Sequence, residues 1–476
     1  MPRVWIRVVV PPFANIARLV TDRPLSAAPS GPSLMDMVVL LASGADLAEG
    51  RAVGHAQRVA LLSLALGDAL QLSPRRKSTL LFAALLHDAG LIPLIGALAP
   101  RLPTGVSEKR WFAVQPRMAL DPAAPAYEAF RTPAMPDACQ SLFESHPKRA
   151  TSLVEALLLS ADVHEAIAAT HERLDGSGFP HGLSGGQIPP ESRIIALADA
   201  LDASLGDINS AATRSQILEA FFDPEHATAT TLFDPDVLAA ARRLWAPQTG
   251  DQRGDTSLQA IYGPAPDKAF RQSVTAAQYP ERFAPLSGRS LASIARALGA
   301  LSDSLLPVYA DDHSERAAEL ALAMARHLEI DDASCGALYI AGLLQNIGMW
   351  GVPGAILAKP QPLSEEQRLA MQDHARFTGD LLARAGGFGE IALWAGEHHE
   401  RMNGSGYYQG KKGRDISVGG RILALADAYV AMTSPRPYRE AFEPAEALAL
   451  IQQGRVRLYD ATLSGVLRQV VTSGRS

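Results

Sequence analysis

Six polar residues recur in order through the first half of the chain: His55, His87, Asp88, His146, His171 and Asp199. Each stands on or beside an apolar run. His87-Asp88 follows Leu81-Phe-Ala-Ala-Leu-Leu86, and Asp199 follows Ile194-Ile-Ala-Leu-Ala198. A carboxylate so placed is expected to be half-buried, which is costly unless it is paired or bound to a metal. Imidazoles and carboxylates together are a ligand set for Fe, Mn and Zn. One carboxylate able to bridge, with several imidazoles around it, would hold two divalent ions. Two ions about 3.5–4 Å apart can clamp a phosphate and deprotonate a bridging water for attack on phosphorus. A single histidine on an apolar helix is usually structural, but six such residues in ordered spacing are a stronger signal.

The same spacing is written twice. Thr170-His-Glu-Arg-Leu-Asp-Gly-Ser-Gly-Phe-Pro180 is matched by His398-His-Glu-Arg-Met-Asn-Gly-Ser-Gly-Tyr-Tyr408, 228 residues on. His146 and His374, and Asp199 and Asp427, keep that offset. His55 and His313, and His87-Asp88 and Gln345-Asn346, stand 258 apart instead. Two constant offsets with one step between them indicate a duplicated domain with extra length in the first copy. The extra length falls between Asp88 and His146, where residues 97–140 form a Pro- and Ala-rich stretch read either as a surface excursion or as a lid.

The elements that must position these residues read as helices. Residues 56–70, 149–169, 191–205, 314–328, 376–397 and 419–433 carry apolar side chains at helical spacing with Ala and Leu in excess. Strand signals are scarce. The expected architecture is all-α, two tandem helical bundles: a segment 1–35, a first domain 36–245, a linker 246–289 and a second domain 290–476. The linker is read from its Gly, Pro, Asp and Gln content.

With 476 residues, 47% hydrophobic and 20% charged, the chain is a soluble globular type long enough for two to three domains. A net charge of −6 implies no broad basic surface for a nucleic-acid polymer. Cys139 and Cys335 form no disulfide framework or Cys-based zinc motif, which favours a reducing cytoplasm. The apolar stretch 4–10 is broken by Arg7 and ended by Pro11-Pro12, too short to span a bilayer or form a good signal core.

These linked motifs resemble the HD-GYP subgroup of the HD-domain phosphohydrolases, over roughly residues 36–245 and 290–470. The family pattern runs His-x-x-Arg-Val, His-Asp-x-Gly-Lys, a lone His, His-His-Glu-x-x-Asp-Gly-x-Gly-Tyr-Pro and a late Ala-Asp. The first copy supplies His55, His87-Asp88, His146, His171 with its Gly-Ser-Gly-Phe-Pro string, and Ala198-Asp199. The resemblance implies helical bundles, two or three ions of Fe or Mn, and hydrolysis of cyclic di-GMP. Asp88 would bridge two metals, with His55, His87, His146, His171 and Asp199 completing the shells and His87-Asp88 at the catalytic centre. Asp175, Gly176, Gly178, Phe179 and Pro180 would shape the mouth or a partner loop. Arg173 and Arg193 are candidates for phosphate, against the plainer reading of a solvated helix face.

The departures bear on both copies. In the first, Leu91 replaces the family lysine, Thr170 the first histidine of the pair, and Arg51 a glutamate that some members use for a third metal. Two metals are therefore expected there, one ligand short. In the second, His313, His374, His398, His399 and Asp427 survive, as does Arg436-Pro-Tyr-Arg439, but Gln345-Asn346 replaces His-Asp, Met349 the lysine and Asn403 the aspartate. Amides bind hard divalent ions poorly, so the second site is read as degenerate, without two metals, and its domain as regulatory. The expected function is a metal-dependent phosphodiesterase of bacterial cyclic-dinucleotide signalling. The competing readings are an inactive nucleotide-binding or protein-interaction module and a hydrolase of another nucleotide phosphoester. Diguanylate cyclase domains and a second copy of the chain are the partners considered.

Overall fold

The structure is a computed structural model that describes residues 31–51, 53–98, 141–142, 144–206, 211–222, 231–246, 258–263, 266–275, 278–306, 312–359, 361–435, 440–453 and 458–473. Among the described residues the fold is all-α, with helices and short 3-10 turns and no extended strand. No helix among them is long and apolar enough to cross a membrane. Most of the 97–140 stretch, and Arg436–Arg439, lie outside the described residues.

The helices that carry the first copy are α1 (Leu34–Glu49), α2 (His55–Ala69), α3 (Pro74–Leu86), α4 (His146–Val154), α5 (Ala161–Ala168), α6 (Pro190–Leu205) and α7 (Pro235–Trp245). Those of the second are α8 (Gly288–Ser304), α9 (His313–His327), α10 (Asp332–Leu344), α11 (Glu365–Ala385), α12 (Glu390–Gly396), α13 (Val418–Met432) and α14 (Ala461–Ser473). Their starts are written locally. Ser33 accepts from Asp36 N while the Asp36 carboxylate accepts from Ser33 N, a reciprocal cap on α1. Ser73 caps α3 ahead of Pro74, a residue whose missing N–H costs nothing in the first turn. Ser287, Asp331 and Ser417 cap α8, α10 and α13 in the same manner. Val59, Leu62 and Leu66 of α2 and Leu80, Leu81 and Leu85 of α3 are almost wholly buried. Side chains of this size each contribute about 1.5–3 kcal/mol when removed from water.

The chain forms two compact units. One holds Ser33–Ala284 together with Trp350–Gln367; the other holds Pro285–Met349 and Arg368–Ser476. This division differs from the expected boundaries, most of all at Trp350–Gln367 and over 246–289. Trp350–Gln367, which the repeat assigns to the second copy, belongs to the unit of the first. Trp350 is fully buried there, and a Cβ added at Gly44 of α1 would meet its ring at 2.2 Å. The 246–289 stretch, expected to be a linker, includes the helix Pro266–Ser273 and buries Leu258, Ile261, Phe270 and Val274. Its Gly and Pro content masked these apolar anchors.

Candidate functional site

In the first unit the six expected residues come together from five separate places. His55 opens α2, His87 ends α3, and Asp88 stands between α3 and the 3-10 turn Ala89–Leu94. His146 opens α4, His171 lies in the loop after α5, and Asp199 is inside α6. The Asp88 carboxylate is the meeting point. Its Oδ2 lies 2.9 Å from His87 Nε2 and 3.9 Å from His55 Nε2. Its Oδ1 lies 3.3 Å from both His146 Nε2 and His171 Nε2. Asp199 Oδ1 closes the first side, 3.4 Å from His55 Nε2 and 3.9 Å from His87 Nε2. Two groups with ligand atoms close enough to share an ion result, His55–His87–Asp88 and Asp88–His146–His171, with Asp88 common to both.

The donor set fits metal ions. His87 Nδ1 donates to Ala84 O at 2.8 Å, so the Nε2 lone pair is turned toward Asp88 and Asp199. Among the described residues Asp199 Oδ1 is buried with no hydrogen-bond partner, and His87 Nε2 is buried facing the Asp88 carboxylate. Lone pairs and carboxylate oxygens converging in a buried space need a cation. The proton affinities express the same demand. Burial alone would depress the His87 imidazole, but the charges of Asp88 and Asp199 outweigh it and lift the pKa to about 10. Burial would raise Asp88, and the His87 charge with hydrogen bonds from His146 and His171 instead holds it well below the carboxylate range.

Several residues that sequence reasoning passed over support this set. Asp202, one turn beyond Asp199 on α6, places Oδ2 2.6 Å from His55 Nδ1. Its Oδ1 accepts from Arg58 Nε at 2.7 Å, and Arg58 Nη2 donates to Oδ2 at 3.0 Å. Asp202 thus makes His55 Nδ1 the donor and leaves Nε2 for a metal, while Arg58 neutralises it. The Asp at i+3 from Asp199 was the available signal. Asp46 of α1 accepts from Gly54 N and Ala56 N at 2.6 and 3.0 Å and so holds the start of α2. Arg51 pairs with the buried Glu49 at 2.9 Å. Its Nη1 is 3.1 Å from both ring nitrogens of His55. Equal distances place it over the ring face, since an approach in the ring plane would collide with Cε1. The His55 Nε2 lone pair therefore remains available.

The repeated string builds the loop beside His171. Glu172 is buried, and its two oxygens accept from His181 N and Leu183 N at 2.7 and 2.9 Å. It is a backbone clamp. Asp175 accepts from Ser177 N at 2.9 Å, and Gly176 takes φ +81°, a conformation L side chains rarely adopt. A Cβ at Gly178 would stand 2.3 Å from Arg173 N. The turn brings Phe179, followed by half-buried Pro180, onto the His171 ring, centroids 5.2 Å apart and planes 9° from parallel. Phe179 thus lines the site, and His171, at 17% side-chain exposure, is its more open side. Arg173 is half-buried, and burial lowers its pKa. Arg193 is paired with Asp234, the N-cap of α7. In the second copy Arg421 pairs with Asp460 at 2.9 Å, so this arginine joins helices in both.

Leu91 and Met349 are buried, at 1% and 2% exposure. Thr170 Oγ1 donates to Ile167 O at 3.0 Å, whereas His398, its counterpart, makes the equivalent bond from Nδ1 to Ala395 O at 2.6 Å. Threonine keeps that bond and forfeits the second nitrogen. Asn403 accepts from Ser405 N at 3.0 Å just as Asp175 does from Ser177, so that replacement leaves the turn intact. Gln345 and Asn346 are fully buried at the His-Asp positions. His374, His398 and His399 still cluster, and His313 Nε2 meets Asp427 Oδ1 at 3.0 Å. Burial lowers the pKa of His398 to about 3, with His374 adding to the effect.

The family described as HD domain matches residues 132–237 and 301–463, more than half of the chain and parts of both copies. A 3'3'-cGAMP-specific phosphodiesterase of Vibrio cholerae is 27% identical over 463 residues, covering 94% of this chain and 96% of the relative. A cyclic di-GMP phosphodiesterase response regulator of Xanthomonas campestris is 36% identical over 148 residues, 31% of this chain and 39% of that one. Among solved structures, a cyclic GMP-AMP-specific phosphodiesterase of V. cholerae superposes with a TM-score of 0.63 at 25% identity, over 93% of this chain and 98% of its own. With the His-Asp pair at the centre of the first cluster and its trace at Gln345-Asn346, the chain belongs to the HD domain family, in the tandem HD-GYP form.

Proposed function

We propose that the protein hydrolyses a phosphodiester bond of a cyclic dinucleotide at the cluster around Asp88. The observation that supports this most directly is the division of Asp88 between two ligand groups, Oδ2 toward His55 and His87 and Oδ1 toward His146 and His171. Two divalent ions bound there would supply a Lewis acid for the phosphate and an acidified water as nucleophile. Fe or Mn is the ion class that suits mixed imidazole and carboxylate donors. The protein's own part is orientation. Ala84 O and Asp202 fix the His87 and His55 rings, and Phe179 walls the open side beside His171. With Thr170 in place of an imidazole, the His146–His171 side is the weaker of the two. The second unit, lacking the His-Asp pair, is assigned a regulatory part.

Both cyclic di-GMP and 3'3'-cGAMP are candidate substrates. The relative that spans nearly the whole chain is specific for the second, whereas the one named for the first aligns over a much shorter stretch. The test is turnover of each by the anaerobically purified chain, with metal analysis on the same sample. About two ions in the first unit and hydrolysis of at least one substrate are expected, both lost in Asp88→Ala while far-UV circular dichroism is unchanged. A fully metal-loaded chain that cleaves neither would overturn the enzymatic reading and favour a nucleotide-binding module.

A further inference from the structure

The second copy has lost the acid that could bridge two ions, yet its imidazoles are still prepared for one. His374 Nδ1 lies 2.7 Å from Met371 O, and His398 Nδ1 lies 2.6 Å from Ala395 O. A carbonyl only accepts, so each Nδ1 carries the proton, and in the neutral rings each Nε2 is a bare lone pair. Those two Nε2 atoms face one another at 3.3 Å. Two acceptors at that distance repel unless a cation lies between them. A proton would make one ring a charge inside a pocket where His374 and His398 are 2% and 0% exposed, which is costly.

A metal ion satisfies the same geometry with a third donor. His399 offers a ligand atom within 4.8 Å of the other two, and its Nδ1 is buried without a hydrogen-bond partner among the described residues. Asp427 Oδ2 stands 3.8 Å from that nitrogen. We propose that His374, His398 and His399 bind a single divalent transition-metal ion of the zinc class, independently of whether the first copy is hydrolytic. Three imidazoles suit Zn²⁺ and its Co²⁺ and Ni²⁺ surrogates rather than Mg²⁺ or Ca²⁺. Asn346 offers no bridging carboxylate, so a second ion is not held. The Tyr407 ring lies against His399, centroids 4.7 Å apart, which ties the ion to the Gly-Ser-Gly-Tyr loop.

The experiment uses the full chain carrying His87→Gln and Asp88→Asn. These substitutions copy Gln345-Asn346 into the first unit and are compatible with the fold. Because Thr170 is not a histidine, they leave that unit one imidazole short of the second. After chelation and confirmation of native circular dichroism, the chain is titrated with Zn²⁺ and separately with Co²⁺. One ion per chain is expected, with a visible Co²⁺ spectrum characteristic of low-symmetry nitrogen coordination. Adding His374→Gln and His398→Gln should abolish both. No bound ion in the folded His87→Gln/Asp88→Asn chain overturns the proposal, and this arm leaves the second copy unaltered. An ion that persists after the two histidine substitutions overturns it equally.

Discussion

Asp202 joins the metal cluster to the core, so replacing it with asparagine should produce two separable losses. Its carboxylate is 1% exposed and touches His55 Nδ1 at 2.6 Å and Arg58 through two bonds of 2.7 and 3.0 Å. Burial would raise its pKa, but the His55 hydrogen bond and the Arg58 charge hold it well below the carboxylate range. Asparagine keeps the volume but offers one acceptor oxygen and no charge. Carboxylates behind a ligating histidine are worth about 10- to 100-fold in metal affinity, and that is the loss expected on the His55 side. On the Arg58 side a guanidinium is left buried without its counter-ion, at a cost of about 3–5 kcal/mol.

Two measurements separate these terms. Metal affinity is read by competition against a chelator that sets the free ion concentration, and stability by urea unfolding of the metal-free chain. Asp202→Asn should fail in both. Arg58→Met should lose stability to a similar extent but retain metal affinity, because Asp202 still orients His55. The second copy shows the fold without this device: Val430 stands at the Asp202 position, and Arg316 reaches Ser434 Oγ at 3.0 Å instead. If Asp202→Asn keeps its affinity, or if Arg58→Met loses as much, Asp202 does not govern the His55 tautomer.

Gly90→Ala should disturb both fold and site, since the added Cβ would lie 1.9 Å from His146 O and 2.6 Å from Ala150 N. About 1–3 kcal/mol of stability should be lost, with reduced metal content as α4 and His146 are displaced; thermal unfolding and metal analysis check it, and a variant equal to wild type in both refutes the close approach. Glu319→Gln should remove a pH dependence from the second unit. Burial, with Glu315 adding to it, raises Glu319 from 4.5 to about 7 despite Arg296 and Arg316. A raised folded-state pKa gives stability that is full below the unfolded value and lost as pH rises through the folded one. The Gln variant should therefore match wild type at pH 4 and exceed it by about 1 kcal/mol at pH 8, a figure reduced for partial exposure. Urea unfolding at the two pH values tests this, and equal stability at pH 8 counts against it.

The helices and the six cluster residues were legible because periodicity and residue type survive as one-dimensional patterns. Their supports were not, because their roles arise only when distant segments meet. Asp202 is 147 residues from the His55 it orients. Glu172 reads as part of a chemical motif until its oxygens are found on His181 N and Leu183 N. Arg193 reads either as a phosphate contact or as part of a solvated helix face until Asp234 is found beside it. Trp350–Gln367 was assigned by repeat alignment, which registers common descent and not packing.

The two copies also show why a well-kept string is weak testimony about chemistry. Gly90 and Gly348 each admit a helix so closely that a Cβ would stand 1.9 Å from a histidine carbonyl, His146 O in one unit and His374 O in the other. Glu172 and Glu400 clamp matching backbone amides, and Gly176 and Gly404 share φ +81°. Those features carry the backbone, so they persist whether or not the ligands do. The ligands have diverged independently: the first copy lacks an imidazole at Thr170 but keeps Asp88, and the second keeps His398 but has Asn346. In each copy the substitute is neutral and fills the vacated position without disturbing the frame. Thr170 keeps the carbonyl bond that His398 makes, and Asn346 is fully buried where Asp88 stands. A frame indifferent to its ligands is what the two proposals require, two ions in one unit and one in the other.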